Sequence, residues 1–346
     1  TFYKKETLTD NIQIEPILNE MQCKGCANKV PQDILDKVFQ ENIKKGSLDA
    51  DKVPNAKNIF QTTDVISSII SDPFELGKIS AKHALNDILA SNSKPIASQM
   101  IISLPPAINE INKRDLIQFK TGAELLMNKA TCKIIGGHTY SNNDEQAYIG
   151  FSIIGKRKKN VREKKITEGN LYITGKIGTA IVFAAIEKKI ISGIYSKEVV
   201  NEMNKSNYEI FKIFSKYNLQ SITDISGFGL AIHANNLLLR HSDLNGLEIS
   251  LDKIPLYEGA IEALNKNVKS SLNDSNKINI INNLEIKYNK INKKFLNCLF
   301  DPQTGGGFLF ILNNTEEKIL AELKKKKINY SCIGKVNNLI KKIRII

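Results

Sequence analysis

The chain carries no tryptophan, only four histidines and four methionines, and five cysteines in 346 residues. Each scarcity excludes something. The basic residues are not interleaved with aromatic side chains, so the stacking platforms of single-stranded nucleic-acid binders are missing and no nucleic-acid partner is expected. No apolar run approaches the ~20 residues that cross a bilayer, so no membrane partner is expected. The first residues, TFYKKETLTDN, lack the apolar stretch of a secretory signal. The cysteines are odd in number and widely scattered (Cys23, Cys26, Cys132, Cys298 and Cys332), which suits a reducing compartment and a cytoplasmic protein. The Gly-x4-Gly-Lys-Ser/Thr phosphate loop, the GxGxxG dinucleotide fingerprint and the HExxH zinc pattern are absent, which argues against a standard P-loop or Rossmann enzyme.

What is present is ordinary in bulk. With 42% hydrophobic and 25% charged residues the composition is that of a globular protein. The length suits two domains of ~100–200 residues each. The formal charge of +13 comes from lysines scattered among asparagines and isoleucines, and an anionic substrate such as ATP suits it. Runs such as Lys324 to Lys327 read as a solvated helix end.

Residues 1–22 are polar and without a period, and are expected to be flexible. Pro31 opens a helical stretch, PQDILDKVFQEN, with Ile34, Leu35, Val38 and Phe39 on one face. Strands are expected at 59–66, at 95–105 and across CKIIGGHT and QAYIGFSIIG. Helices are expected at 71–92, capped by Ser71 or Asp72 with Pro73 in the first turn, and from about 113 to 131. The charged run KRKKNVREKK (156–165) reads as a domain junction. Beyond it come a strand at NLYITGKIG, a helix at TAIVFAAIEKKII and a second helix over 196–218. ITDISGFG reads as a strand entering a Gly-rich turn, LAIHANNLLLRH as a helix and GLEISLDKI as a strand. GGFLFIL and YSCIGKV are expected strands around the helix TEEKILAELKK. Residues 265–295 give no clear pattern, and no short-period repeat is found. The expected fold class is α/β (α+β), with two mixed-sheet domains at 51–157 and 168–346.

Three features can carry chemistry. The first is Cys23-Lys24-Gly25-Cys26-Ala27-Asn28-Lys29. Two cysteines at this spacing read as half a zinc site, as a redox pair, or as one reactive thiol whose pKa a nearby lysine lowers; spacing alone leaves all three open. The second is a set of aspartates beside expected strand ends and helices: Asp49, Asp64, Asp87 and Asp224. Mg2+ takes carboxylate and phosphate oxygens, and phosphoryl transfer needs such ions between phosphates. Taken singly, each aspartate reads equally as a cap or a surface group. The third is three Gly-rich turns: Gly136-Gly137-His138-Thr139, Gly227-Phe228-Gly229, and Gly305-Gly306-Gly307 after Asp301-Pro302-Gln303-Thr304. Such turns let backbone N–H groups approach phosphates, or simply join strands to helices. His83 and His233 fall in expected helices, where a core histidine is the commoner case.

In chain order these motifs resemble those of the selenophosphate synthetase (selenide, water dikinase) family. GCANKVP (25–31) resembles its Cys/Lys loop and LDADKVP (48–54) its Asp-Ala-Ala-Val segment. QTTDVISSIISDPFELGKISAKHALNDI (61–88) resembles its TTD strand and Asp-Pro-Phe helix. IIGGHT (134–139), ITDISGFGLAIH (222–233) and DPQTGGGFLF (301–310) resemble its GGHT, TGFGL and DPQTSGG segments. The likeness spans about residues 23–346 and is weakest at 240–295. It implies the two-domain fold of aminoimidazole ribonucleotide synthetase, with 23–50 a Cys/Lys nucleotide loop and helix, and a homodimer formed through the N-terminal domains. It also implies a reaction: ATP, selenide and water give selenophosphate, AMP and phosphate. In that reaction Cys26 would handle selenium and Lys29 would contact the phosphates and aid catalysis. Asp49, Asp87 and Asp224 would hold Mg2+. Gly46, Asp64, Asp87, Gly137, His138 and Thr139 would join Lys29 around ATP, and K+ is a further implied cation.

The sequence departs from the family pattern at Asn28, Leu48, Asp51, Lys52 and ASNSKP (90–95), all near the implied nucleotide loop. These departures motivate a second reading, a non-catalytic nucleotide-sensing module. A thiamine-phosphate kinase or purine-pathway synthetase of the same superfamily is a further alternative, although it would leave Cys26 and Lys29 unexplained. A redox protein using Cys23 and Cys26 is another. The CKGCANK form and a first residue other than Met also resemble synthetases fused behind a flavin-dependent NADH-type oxidoreductase, so an upstream domain of that kind is considered.

Overall fold

The computed structural model describes residues 24–25, 49–158, 165–289, 291–313 and 316–346. Most of the expected Cys/Lys loop and its helix, with Cys23, Cys26, Lys29 and Gly46, and the expected flexible segment 1–22, lie outside the described residues.

Two mixed sheets organise the molecule, as the expected class requires. The first holds β1 (Asp51–Lys52), β2 (Ile59–Ser67), β3 (Ser93–Leu104), β4 (Lys133–Ser141) and β5 (Tyr148–Arg157) in the order β1-β2-β5-β3-β4. β5 pairs antiparallel with both β2 and β3, while β3 and β4 run parallel. Parallel neighbours need a crossover, and α2 (Asn109–Lys129) supplies it. Along β2, Phe60, Thr62, Asp64 and Ile66 point inward and Gln61, Thr63 and Val65 outward, the period-two pattern of a half-buried strand. The inward face is covered by α1 (Pro73–Ala90), which starts where the sequence signals it: Asp72 caps the Glu75 N–H at 2.9 Å, and Pro73 occupies the first turn.

The second sheet holds β6 (Asn170–Thr174), β7 (Ile222–Asp224), β8 (Leu247–Ile249), β9 (Leu284–Ile286), β10 (Phe308–Leu312), β11 (Tyr330–Val336) and β12 (Ile343–Ile345) in the order β7-β10-β6-β11-β8-β12-β9. Around it pack α3 (Thr179–Glu187), α4 (Ser196–Met203), α5 (Tyr208–Lys216), α6 (Gly229–Arg240), α7 (Glu258–Asn265), α8 (Asn273–Ile280) and α9 (Glu317–Lys325). Phe214 of α5 lies 4.9 Å, centroid to centroid, from Phe310 at the centre of β10, and both rings are buried.

The expected single helix over 196–218 is two helices, α4 and α5, broken at 204–207. The break turns Asn207 inward, where its amide donates to Asn86 Oδ1 and to the Gly306 carbonyl, both at 3.0 Å. A continuous helix would leave those buried acceptors poorer by two bonds. GLEISLDKI is strand only over β8, and then tightens into a 3-10 turn at Leu251–Lys253. The unreadable stretch 265–295 contains α8 and β9.

α1 is buried on nearly all sides because it lies between the two sheets. Its contacts with the second half are polar and specific. Asn86 donates to the Gly306 carbonyl at 3.0 Å, and the Gly305 N–H donates to His83 Nδ1 at 3.3 Å. Lys82 donates to the Glu202 carbonyl at 2.9 Å, and burial pulls its ammonium down to about 7.

Candidate active site

The seam beside α1 gathers the acidic residues. On β2 the period of two places Thr62 and Asp64 on one face; on α1 the spacing of four does the same for His83 and Asp87. The two faces meet in two rungs. Asp64 Oδ2 lies 2.8 Å from His83 Nε2, and the Thr62 hydroxyl donates to Asp87 Oδ2 at 2.6 Å. Because His83 Nδ1 accepts from Gly305, its proton sits on Nε2, facing Asp64. A core position for His83 and His233 is what the structure shows, but each ring also aims a neighbour.

Asp49, two residues before β1, and Asp224, from the second sheet, complete the cluster. Asp224 ends β7 and is buried. Ligand atoms of Asp49, Asp224 and His233 lie within 4.8 Å of one another. His233 Nε2 accepts from the Ser226 N–H at 3.1 Å, which leaves the proton on Nδ1, 3.3 Å from the Thr223 hydroxyl. That hydroxyl donates to Asp49 Oδ1 at 2.8 Å. A relay from His233 through Thr223 thus fixes the Asp49 carboxylate. Arg240, the last residue of α6, grips the same carboxylate with both prongs of its guanidinium, at 2.9 and 3.1 Å. Burial alone would lower its pKa, but the charges of Asp49, then Asp224 and Asp87, outweigh burial and hold it above its ordinary value.

A metal fits here by the chemistry of its donors. Asp49 and Asp224 offer hard carboxylate oxygens, the kind Mg2+ takes, and Asp87 adds negative charge from α1. His233 already uses both ring nitrogens within the protein and is better placed to orient than to ligate.

The Asp301-Pro302-Gln303-Thr304 segment packs against the start of α3. Gln303 Oε1 accepts from the Gly178 and Thr179 N–H groups at 3.0 and 3.1 Å. Gly25 reaches this segment from the Cys/Lys motif. Its N–H donates to the Ser67 hydroxyl at 2.9 Å, and with φ at +76° a Cβ there would stand 2.6 Å from Thr304 Oγ1. Only glycine suits that conformation and that space. Lys24 beside it pairs with Glu187 at the end of α3, 3.6 Å away.

Burial pushes the Asp301 carboxyl up to about 7, and the hydrogen bond that Gln303 Nε2 donates to Oδ2 at 2.9 Å opposes it only in part. A carboxyl raised above its unfolded value of 3.8 contributes stability that is full below about pH 4 and lost as the pH climbs through 7. Asp301→Asn cannot ionise. Between pH 4 and 7.5 its unfolding free energy is expected to gain on the wild type by roughly 4 kcal/mol, three units at about 1.4 each. Urea unfolding followed by circular dichroism measures this, since the chain has no tryptophan to report. A difference that does not vary with pH would mean that the carboxyl is not held protonated.

The structure brings Asp49, Asp64, Asp87 and Asp224 to one seam. It does not bring Gly137, His138 and Thr139 there. Rather than forming a turn, these lie within β4, on the exposed edge of the first sheet with β5 and β3 between them and β2. Parallel pairing with β3 over 97–104 holds the Gly-Gly pair extended, and a Cβ at Gly137 would meet the Met100 carbonyl at 1.9 Å. Thr62, Thr223 and Arg240 were not found from the sequence. The threonines precede site aspartates by two positions and one, a signal that could have found them; Arg240 had none.

The family model described as AIR synthase related protein, N-terminal domain, matches residues 47–156, and the C-terminal domain model of the same description matches 170–342. The chain belongs to the AIR synthase related family. Among relatives of this family member is the selenide, water dikinase of Clostridioides difficile, 26% identical, with 90% of this chain and 91% of the relative covered. The selenide, water dikinase of Caldanaerobacter subterraneus is 28% identical over 80% of this chain and 79% of its own. Solved structures share the AIR synthase fold at greater distance. AaThiL complexed with AMPPCP and TMP superposes with TM-score 0.60 at 18% identity, covering 91% of each chain. E. coli HypE gives 0.62 at 15% identity, covering 91% of this chain and 93% of its own. Among the described residues no helix is long and apolar enough to cross a membrane.

Proposed function

We propose that this chain is an ATP-dependent kinase that phosphorylates selenide, releasing selenophosphate, AMP and phosphate. The observation that carries this reading is the buried seam where Asp49, Asp87 and Asp224 surround one cationic centre, in a chain whose curated relatives are named selenide, water dikinase. Mg2+ bound by these carboxylates would neutralise the charge that builds between phosphates. Asp49 is aimed by Thr223 and Asp87 by Thr62, so both are oriented before a nucleotide arrives. Asp64, locked on His83, is the aspartate we place beside ATP, together with Gly46. Cys26 is the residue we assign to selenium and Lys29 the one we assign to the phosphates; both lie outside the described residues. The packing of Gly25 against Ser67 and Thr304 supports a Cys/Lys loop working at this seam.

A homodimer through the first sheets is part of the proposal. The outer face of that sheet exposes Val65 and Ile154, and Ile96 and Ile135 are exposed on its strands. Covering that face would bring Gly137, His138 and Thr139 of β4 toward a partner's nucleotide.

The test is anaerobic incubation with ATP, Mg2+ and selenide, followed by 31P NMR, beside Cys26→Ala. Selenophosphate and AMP are expected from the wild type and neither from the variant. ADP without a selenium–phosphorus resonance would place the chain with kinases that transfer one phosphoryl group. ATP binding with no turnover would favour a nucleotide-sensing module.

A further inference from the structure

The Arg240 side chain holds one of the carboxylates on which a metal would be sought. Its fork takes both oxygens of Asp49: Nη2 donates to Oδ1 at 2.9 Å and Nη1 to Oδ2 at 3.1 Å. Nη1 also donates to the Ile222 carbonyl at 3.2 Å, which ties the guanidinium to β7, the strand that ends in Asp224. Both partners are withdrawn from water, with 10% of the Arg240 side chain and 5% of the Asp49 side chain exposed.

The lone pairs of Asp49 limit what else it can hold. Each carboxylate oxygen accepts about two bonds. Oδ1 already receives Arg240 and the Thr223 hydroxyl, so it is full; Oδ2 receives Arg240 and has one position left. A divalent ion can therefore take Asp49 only at that one remaining position, a few ångströms from a positive guanidinium, or by displacing the fork. Without any cation, three carboxylates around a buried pocket would repel one another and the fold there would be costly. The guanidinium cancels part of that charge through a bidentate geometry that a lysine cannot reproduce.

We propose that Arg240 is a tethered cation that holds the acidic cluster together before metal arrives, competes with the metal for Asp49, and so sets the divalent-cation affinity of the site. The inference rests on the reading of this cluster as a metal site. Its role is positioning and competition, because Arg240 acts through Asp49.

The test uses the full chain without nucleotide and Mn2+ as the probe, with free Mn2+ read by electron paramagnetic resonance. Arg240→Gln is expected to bind Mn2+ at least about tenfold more tightly than the wild type. Its melting temperature without metal is expected to fall, and saturating Mg2+ to return it toward the wild-type value. Arg240→Lys keeps the charge and loses the fork; it is expected to bind severalfold more tightly than the wild type, and it decides the question should the glutamine variant fail to fold. Equal or weaker Mn2+ affinity in the folded variant would overturn the role of Arg240. An absence of Mn2+ binding in wild type and variants alike would instead overturn the metal site itself, and the inference with it.

Discussion

Asp224→Asn is expected to lower ATP turnover by roughly 10²–10³-fold, the loss seen when one electrostatic contact to a developing charge is removed. Asparagine has nearly the shape of aspartate, so the end of β7 and its pairing of Asp224 with Phe308 of β10 need not move. What changes is one negative charge at a side chain withdrawn from bulk solvent, where electrostatic effects are stronger than in water. Asp49 keeps the Arg240 fork and the Thr223 hydroxyl in the variant, so the cluster is weakened rather than dismantled. The defect should therefore appear in kcat and in the Mg2+ concentration needed, with a far-ultraviolet circular dichroism spectrum like that of the wild type. Asp64→Asn gives the contrast. Its carboxylate faces His83, so its loss is expected to fall more on nucleotide KM than on Mg2+ dependence. Turnover in Asp224→Asn within threefold of the wild type at saturating Mg2+ would remove Asp224 from the metal site.

The elements that could be read from the sequence are those whose pattern is local. Alternation fixed β2 and β5, and Ser71 or Asp72 with Pro73 marked the start of α1, where the structure shows Asp72 as the cap. The break between α4 and α5 was not readable, because its cause is Asn207 bonding to Asn86 and Gly306, 121 and 99 residues away. The Gly136-Gly137 pair read both as part of a strand and as a Gly-rich turn, and parallel pairing with β3 decides for the strand. α8 and β9 were hidden in an asparagine- and lysine-rich stretch with little apolar period. At the site, the four aspartates were legible through their order along the chain. Arg240 was not, since its significance arises only when the end of α6 meets a carboxylate 191 residues earlier. An arginine closing a helix is ordinarily read as a favourable charge at the C-terminal dipole.

α1 carries His83 and Asp87, so whatever fixes α1 also fixes the site, and its crossing with α2 is held by two reciprocal glycines. A Cβ at Gly77 of α1 would stand 2.2 Å from the Phe119 carbonyl of α2, and one at Gly122 of α2 would stand 2.0 Å from the Phe74 carbonyl of α1. Two effects oppose each other in Gly122→Ala. Alanine improves helix propensity by about 1 kcal/mol. Overpacking against backbone, which cannot rotate away as a side chain can, costs typically 1–3 kcal/mol and at times more. At 2.0 Å the clash is severe, and the helices must separate along a contact where Phe119, Ala123 and Leu126 are buried. A net loss of about 2 kcal/mol or more is expected, a fall of roughly 4–8 °C in melting temperature at two to four degrees per kcal/mol. Gly193→Ala is the control: nothing lies within 4 Å of its Cβ position, and its stability should change by less than about 0.5 kcal/mol. The same separation draws Asp87 away from Thr62, so Gly122→Ala should also raise the Mg2+ concentration needed and lower turnover at temperatures where it is still folded. Wild-type stability in Gly122→Ala would mean that the helices have room to part, and that the glycines do not set the position of α1.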